Sequence, residues 1–374
     1  EIIDIDPLTE IATLNSRRSS LTPMRTAFTG GRLAKQLPAN NADDLLSGIS
    51  NLNVCRPQGI FSGSAVAGMR GLPGSSRTLI LLNGVPLNRA GDGGVNWNII
   101  QTSEVAETEI LKGPASAIYG QHAMGGVVNI ISRKPSEPIE GSVKTFGGSM
   151  GSLGGSFNLG GMDLYHGQGV YWKLNGFVRR GDGYINEPEE TRDSLDTRLD
   201  LNEYHAGMLL GYRFDTASTL DASYRYYKGN FGTGTKITDD EGSYDQVEGH
   251  LGILRYDLVK RKSRLNASVS YYRESLTRNE EYLGLAGDYV MTDSKSIKND
   301  LGLKLYFSHE IPGNNLITAG ADARYGDLDA SQAFNSSNDK FSYGGKLISG
   351  GIFLQDEFSL GNKLFIVAGI RYDH

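Results

Sequence analysis

The sequence has 374 residues, 37 Lys and Arg against 43 Asp and Glu for a formal net charge of −6, and 49 glycines, 19 tyrosines and one cysteine. The mildly acidic balance lacks the basic footprint of a nucleic-acid-binding protein, the lone Cys55 excludes an intrachain disulfide, and the six scattered histidines show no metal-ligand spacing. No run reaches the roughly 18 apolar residues of a membrane-spanning helix, and no leader pattern opens the chain, so an export signal is expected to lie upstream of Glu1.

Composition shifts near Pro135 to Pro138, which predicts two domains, 1–136 and 137–374. The first begins with an extended apolar-acidic stretch carrying Ile2, Ile3 and Ile5. Asn41 is an N-cap residue followed by an apolar set at Leu45, Leu46 and Ile49, so the spacing predicts a short helix over 42–50. Thr78 to Leu82 and Val127 to Ile131 are short, continuous apolar runs of the kind buried in a mixed sheet. Gly91-Asp92-Gly93-Gly94 has no helix behind it to supply a phosphate-binding N-terminus and reads as a surface loop. Gly113-Pro114 opens a second short helix that Gly120 closes, giving a small α+β domain.

Beyond residue 136 the pattern changes to a period of two. Val170, Trp172, Leu174, Gly176 and Val178 fall on one face, and Tyr171, Lys173, Asn175 and Arg179 on the other. The alternation returns with Leu220, Ala222 and Tyr224 against Asp221, Ser223 and Arg225, and with Leu301, Leu303, Leu305 and Phe307 against Asp300 and Lys304. Short connections near 215–218, 258–263, 311–314 and 359–363 alternate with long polar ones at 181–200, 229–247, 276–296 and 326–345. That asymmetry of rims is the mark of a transmembrane β-barrel rather than a soluble sandwich. Tyrosines at strand ends, such as Tyr224, Tyr271 and Tyr372, suit an interfacial aromatic belt. Gly147 to Gly151 fits a G-x-S-x-G pattern, but strands on both sides make it a tight loop and not a nucleophile elbow. The acids Asp239, Asp240 and Glu241 read as solvated loop residues. About eleven strands follow Gly141, an odd number where bacterial barrels close on an even one, so further strands are expected after His374.

Three motifs in order make the first domain recognisable: Met69-Arg70-Gly71-Leu72 leading to Thr78 through Asn88, then Ile110 to Gly120, then Gly125 to Ser132. Together they closely resemble the plug of TonB-dependent receptors, and Gln355 to Phe358 with Ala368 to His374 resembles a barrel strand pair of the same family. Asn83 and Lys112 stand where the family usually has Asp and Arg, and Lys keeps the charge while losing the bidentate fork. The resemblance implies a plug inside a barrel of about 22 strands in the outer membrane. It also implies a transport role without catalytic residues, cofactor or resident metal. The implied ligand is a metal chelate such as a ferric siderophore, haem or cobalamin. TonB, with ExbB and ExbD, would supply the energy by contacting the N-terminal segment through Ile2, Ile3 and Ile5. Arg70 and Lys112 would anchor the plug to acidic groups on the barrel wall. Asn88, Arg89, Asp92, Asn96 and Trp97 would form the ligand-facing apex, with Trp97 either stacking on a planar ligand or, on an equal footing, packing inside the plug. Two other readings compete: a passive porin or adhesin, which would lack the plug motifs, and a soluble carbohydrate-binding β protein, which would lack the alternation of loop lengths.

Overall fold

A computed structural model describes residues 8–9, 14, 17–18, 25–30 and 39–374, except 73, 285–286, 313–314, 336, 338 and 361–363. Ile2, Ile3 and Ile5 lie outside the described residues.

The N-terminal part opens with the paired segments β1 (Leu8–Thr9) and β2 (Arg17–Arg18). Its main sheet contains β3 (Arg25–Gly30), β6 (Thr78–Leu82), β7 (Val85–Pro86), β8 (Val105–Lys112) and β9 (Gly126–Ser132), in the order β3-β8-β9-β6-β7. The hairpin of β4 (Leu52–Cys55) and β5 (Val66–Met69) stands beside it. The two apolar runs become β6 and β9, which pair in parallel with Ile80 opposite Val128. A parallel pair is covered on both faces, which accounts for its unbroken apolar composition.

Both predicted helices are shorter than expected. Asn41 precedes a 3₁₀ segment, Ala42–Leu46, in which the Asp44 carboxylate accepts the Asn41 N–H at 2.9 Å. Gly48 then turns the chain at φ 81°, so Ile49 lies beyond the helix. The other helix is Ser116–Tyr119, with Pro114 ahead of its Ala115 cap and Gly120 closing it at φ 65°.

The C-terminal part is one antiparallel sheet of eleven strands in sequence order. These are β10 (Glu140–Gly147), β11 (Leu153–Tyr165), β12 (Gln168–Gly181), β13 (Leu201–Arg213), β14 (Ser218–Gly232), β15 (Tyr244–Lys260), β16 (Ser263–Leu283), β17 (Tyr289–Ile311), β18 (Asn315–Phe334), β19 (Asp339–Leu360) and β20 (Leu364–Asp373). Gly147 to Ser152 is a turn between two strands, with Met150 and Gly151 at positive φ.

The two faces of this sheet invert the usual order of a soluble protein. Val178 is 62% exposed whereas its neighbour Arg179 is 5% exposed. Leu174, Leu301, Leu303, Leu305 and Phe307 are likewise exposed, and Lys173, Asn175, Asp221, Arg225 and Asp300 are buried. Register aligns the outward side chains into rows: Leu210, Ala222, Leu254, Val269, Leu303 and Ala323 lie side by side across six strands. Four residues nearer the long-loop rim runs a polar row, Tyr226, His250, Arg273, Asn299, Asp327 and Lys346. An apolar band bounded by such a row is the outside of a membrane barrel.

Two expected long loops are strand instead. Most of 276–296 and 326–345 is hydrogen-bonded hairpin. β16 to β19 run to 21, 23, 20 and 22 residues, about twice the length needed to cross a bilayer. A strand wet on both faces carries no apolar period, so its paired backbone leaves no trace in a hydropathy pattern. The connection 182–200 remains a true loop, tied by the isolated bridge of Ile185 with Arg198.

Leu303→Arg should cost about 2–4 kcal/mol of folding stability in lipid, the range for a basic residue near the midplane of a barrel's outer face. Ser270→Arg, on the inward face, should cost much less. Reversible unfolding in bilayers measures both, and equal penalties would contradict the assignment of faces.

Plug seating and candidate ligand site

The N-terminal sheet lies against the polar face of the strand wall, and buried charges join the two. Glu104 ends a 3₁₀ turn, Thr102–Glu104, that leads into β8. Its carboxylate accepts Nε of Arg225 at 3.1 Å, Nη2 of the same residue at 3.2 Å and Nδ2 of Asn175 at 2.9 Å, with Lys173 Nζ at 4.0 Å. Burial alone would raise the Glu104 pKa, but Arg225 and Lys173 outweigh it and hold the group at about 2, against a usual value of 4.5. A depressed carboxylate stabilises above its unfolded pKa, so this contact is fully present above about pH 4.5 and is lost as pH falls towards 2.

A second network runs from the plug to β12, β13 and β14. Asp43 receives Arg56 at 2.8 and 3.0 Å, and Arg56 also reaches Asn98 at 3.0 Å. Asn98 donates to the Tyr227 hydroxyl at 3.1 Å, and Tyr227 donates to Glu203 at 2.7 Å. Arg179 closes the circuit by bonding both Glu203 and the Asn41 side chain. Every charge here has an opposite partner, as burial requires.

The loop 88–98 is bound to the next wall segment. Arg89 donates to Glu274 at 2.5 Å and to Asp92 at 2.9 Å, and Lys298 donates to Asp92 at 2.7 Å. The Ala90 N–H meets the Asp300 carboxylate at 3.1 Å, and Arg324 donates to the Asn88 carbonyl. Burial opposes the Arg89 charge, but Glu274 and Asp92 raise its pKa overall; Asp92 is likewise desolvated, yet hydrogen bonds from Arg89 and Lys298 hold it well below the usual carboxylate range. Nearer the short-turn rim, Lys134 donates to Asp221 at 2.7 Å and Arg255 to the Asn83 carbonyl at 2.8 Å.

The expected apex residues separate into two groups. Arg89 and Asp92 are the ion-paired tip of the loop. Asn88 is a correction: it is fully buried, accepting Ile80 N–H at 2.7 Å and donating to the carbonyls of Ser75, Thr78 and Gly93. An amide so used fastens the loop to β6 and has no capacity left for a ligand. Trp97 takes the second of the two readings open to it, packing inside the protein. It is 1% exposed in the core with Leu46, Ile99 and Tyr227, so its ring stacks on no incoming molecule. Asn96 is also buried, capping the turn by accepting Asn98 N–H at 3.1 Å. Arg70 is exposed at φ 58° and forms no ion pair among the described residues, while Lys112 donates to Ser50 of the plug at 2.9 Å.

The anchors that do join plug to wall here, Glu104, Arg179, Glu203, Arg225, Glu274, Asp300 and Arg324, were not singled out in the sequence. The inward, polar parity of Arg179, Arg225 and Asp300 was visible, but no pattern specifies that Arg225 meets a carboxylate 121 positions earlier.

Comparison with known proteins agrees with a transmembrane strand wall that carries a mixed α+β unit on its inner face. The family described as TonB-dependent Receptor Plug Domain matches residues 18–127. The chain belongs to the TonB-dependent receptors. Like other members of that family, it is an outer-membrane β-barrel protein. It is 26% identical over 346 residues to the vitamin B12 transporter BtuB of Vibrio vulnificus, covering 91% of this chain and 53% of that protein. It is 25% identical over 391 residues to the hemin receptor of Yersinia pestis, covering 99% and 54%. The receptor chain thus spans about half the length of the curated relatives it matches. Among solved structures, the unliganded ferric citrate transporter FecA superposes with a TM-score of 0.75 at 16% identity, over 96% of this chain and 57% of that one. The ferric yersiniabactin receptor FyuA of Yersinia pestis gives 0.73 at 16% identity, over 94% and 56%.

Glu104→Gln should leave Arg225 and Lys173 buried without a countercharge, a loss of about 3–5 kcal/mol for a broken buried pair. Amide hydrogen-exchange protection across 101–112, taken relative to the intrinsic rate at each pH, should fall in the variant at pH 7 and in the unaltered protein below about pH 4. Exchange unchanged at both would contradict the role of this contact.

Proposed function

We propose that residues 1–136 act as the plug, and 137–374 as the first part of the barrel, of an active importer that moves a scarce metal chelate across the outer membrane. TonB, energised through ExbB and ExbD, would pull on the N-terminal segment. The observation that carries this reading is the seating of the plug: beside apolar contacts, it is joined to the wall by ion pairs and hydrogen bonds around Glu104, Arg179 and Arg89, which water can replace as the plug shifts.

The ligand class follows from the relatives' printed names, which include vitamin B12, ferrioxamine B and hemin, all metal chelates. The long-loop rim, with hairpins β16–β17 and β18–β19 projecting above the Arg89–Asp92 tip, supplies the capture surface on the cell exterior, and the short turns lie on the periplasmic side. A plug seated on the wall argues against a passive porin, and the exposed apolar band against a soluble carbohydrate-binding protein.

Whole cells expressing the full-length receptor should accumulate one of three labelled probes, ferric hydroxamate, haem or cobalamin. Uptake should fall to background when TonB is absent or the proton gradient is collapsed. Accumulation independent of TonB, or none with any of the three, would contradict the reading.

A further inference from the structure

Two long connections on the outer rim, 182–200 and 233–243, contain no strand or helix of their own, and the side chain that completes their apolar core belongs to the plug. Phe61 ends the 3₁₀ turn Gly59–Phe61. It is buried together with Leu199 of the first connection, Leu201 at the start of β13 and Phe231 near the end of β14, and Ile60 and Tyr184 pack against the same cluster. Tyr184 meets the Phe61 ring edge-on, with ring centres 5.9 Å apart.

Glycines give these rings their room. A Cβ at Gly181 would stand 2.7 Å from Phe61 Cε1, and one at Gly63 would stand 3.1 Å from Phe231 Cδ2. The turn is also braced from within the plug, because Arg56, already paired with Asp43, donates to the Ser62 carbonyl at 2.6 Å.

Polar bonds carry this contact outward. The Leu199 N–H donates to the Tyr184 carbonyl at 2.9 Å and closes 182–200 on itself. The Thr197 N–H donates to the Gly234 carbonyl and the Lys236 N–H to the Leu195 carbonyl, both at 2.9 Å, and Asp196 bridges Thr235, so the first connection is laced to the second. One carboxylate of the β16–β17 hairpin then holds the second. Glu281, 3% exposed, accepts the N–H groups of Ile237, Thr238 and Asp239 at 2.8, 3.0 and 2.8 Å, and the Tyr289 hydroxyl at 2.7 Å. A continuous line of contacts thus runs from plug residue 61 to an outer hairpin. Chain without regular structure stays ordered only where packing offsets its conformational entropy, and the apolar part of that packing is shared here with the plug. With Phe61 withdrawn, Leu199, Leu201 and Phe231 face water.

We propose that Phe61 is a latch: it keeps connections 182–200 and 233–243 ordered while the plug is seated, and its withdrawal with the plug slackens the outer rim and frees what those loops have captured. The release step rests on the import reading above, but the latch itself does not, because order in the loops requires neither ligand nor TonB.

Amide hydrogen exchange of the full-length receptor in bilayers tests the latch. Phe61→Ala should lower protection across 184–199 and 233–243 by about tenfold or more, as the loss of a buried phenylalanine from a small cluster allows. Protection across 101–112, at the Glu104 contact, should stay. Phe61→Leu, which refills most of the socket, should restore most of the loss. Coupling between two sites is reciprocal, so Glu281→Ala, which removes the bonds to 237–239, should lower protection of plug residues 59–63. Local packing alone predicts neither distant effect. The proposal is overturned if Phe61→Ala disturbs only 59–63, if Glu281→Ala leaves 59–63 unchanged, or if 101–112 loosens along with the loops, since the plug would then have left as a whole. Every one of these measurements is made without chelate or TonB, so the latch can fail while the import reading stands, and the reverse.

Discussion

The Glu104 carboxylate, enclosed by Arg225, Lys173 and Asn175, stands for the constraint that shapes the whole chain: two large surfaces must fit closely and still be able to part. An apolar interface between plug and wall would be more adhesive and slow to separate, because its driving force is removal of area from water. Ion pairs break even more nearly, since each partner recovers hydration when it is exposed. That requirement places charges such as Lys173, Arg179, Asp221, Arg225 and Asp300 among the inward residues of β12, β14 and β17, and the membrane in turn puts apolar side chains on the outward face. The inversion of Val178 and Arg179 is the smallest unit of this arrangement.

The plug meets the same demand internally in the opposite way. Its own sheet is dry: Leu79 to Leu82 and Val127, Val128 and Ile130 are buried in the parallel pairing of β6 with β9. The unit is therefore cohesive within itself, and its boundary mixes buried ion pairs with apolar contacts such as Ile118 with Tyr306 and Phe353. Asn88 extends that cohesion to the loop tip by tying four backbone groups of 75–93 together, so that displacement of Arg89 or Asp92 is transmitted to β6.

Much of this was legible in the sequence, for definable reasons. The faces of β12 and β17 follow from a period of two that any half-buried strand must show, and β6 and β9 from apolar runs too short for helices. What was not legible depends on distance or on water. Glu104 lies in an irregular turn with no period, and its partner is fixed only when the barrel curves round the plug. The upper halves of β16 to β19 are largely polar on both faces and read as loops. Asn88 and Trp97 were placed facing the ligand because the resemblance puts their loop at the plug apex; whether an amide there serves a ligand or its own backbone is decided by turn geometry, which the sequence does not display.

The central claim is that the plug works only if it can leave the wall, and one bond tests it. A Cβ at Gly369 would lie 3.5 Å from the Cβ of Ala117, within the usual reach of a disulfide. In a full-length receptor carrying Cys55→Ser, the pair Ala117→Cys and Gly369→Cys therefore joins the short helix to β20. The account predicts that the oxidised receptor still binds chelate on the cell surface but does not import it, and that reductant restores import. Import at the same rate in oxidised and reduced receptor would contradict it.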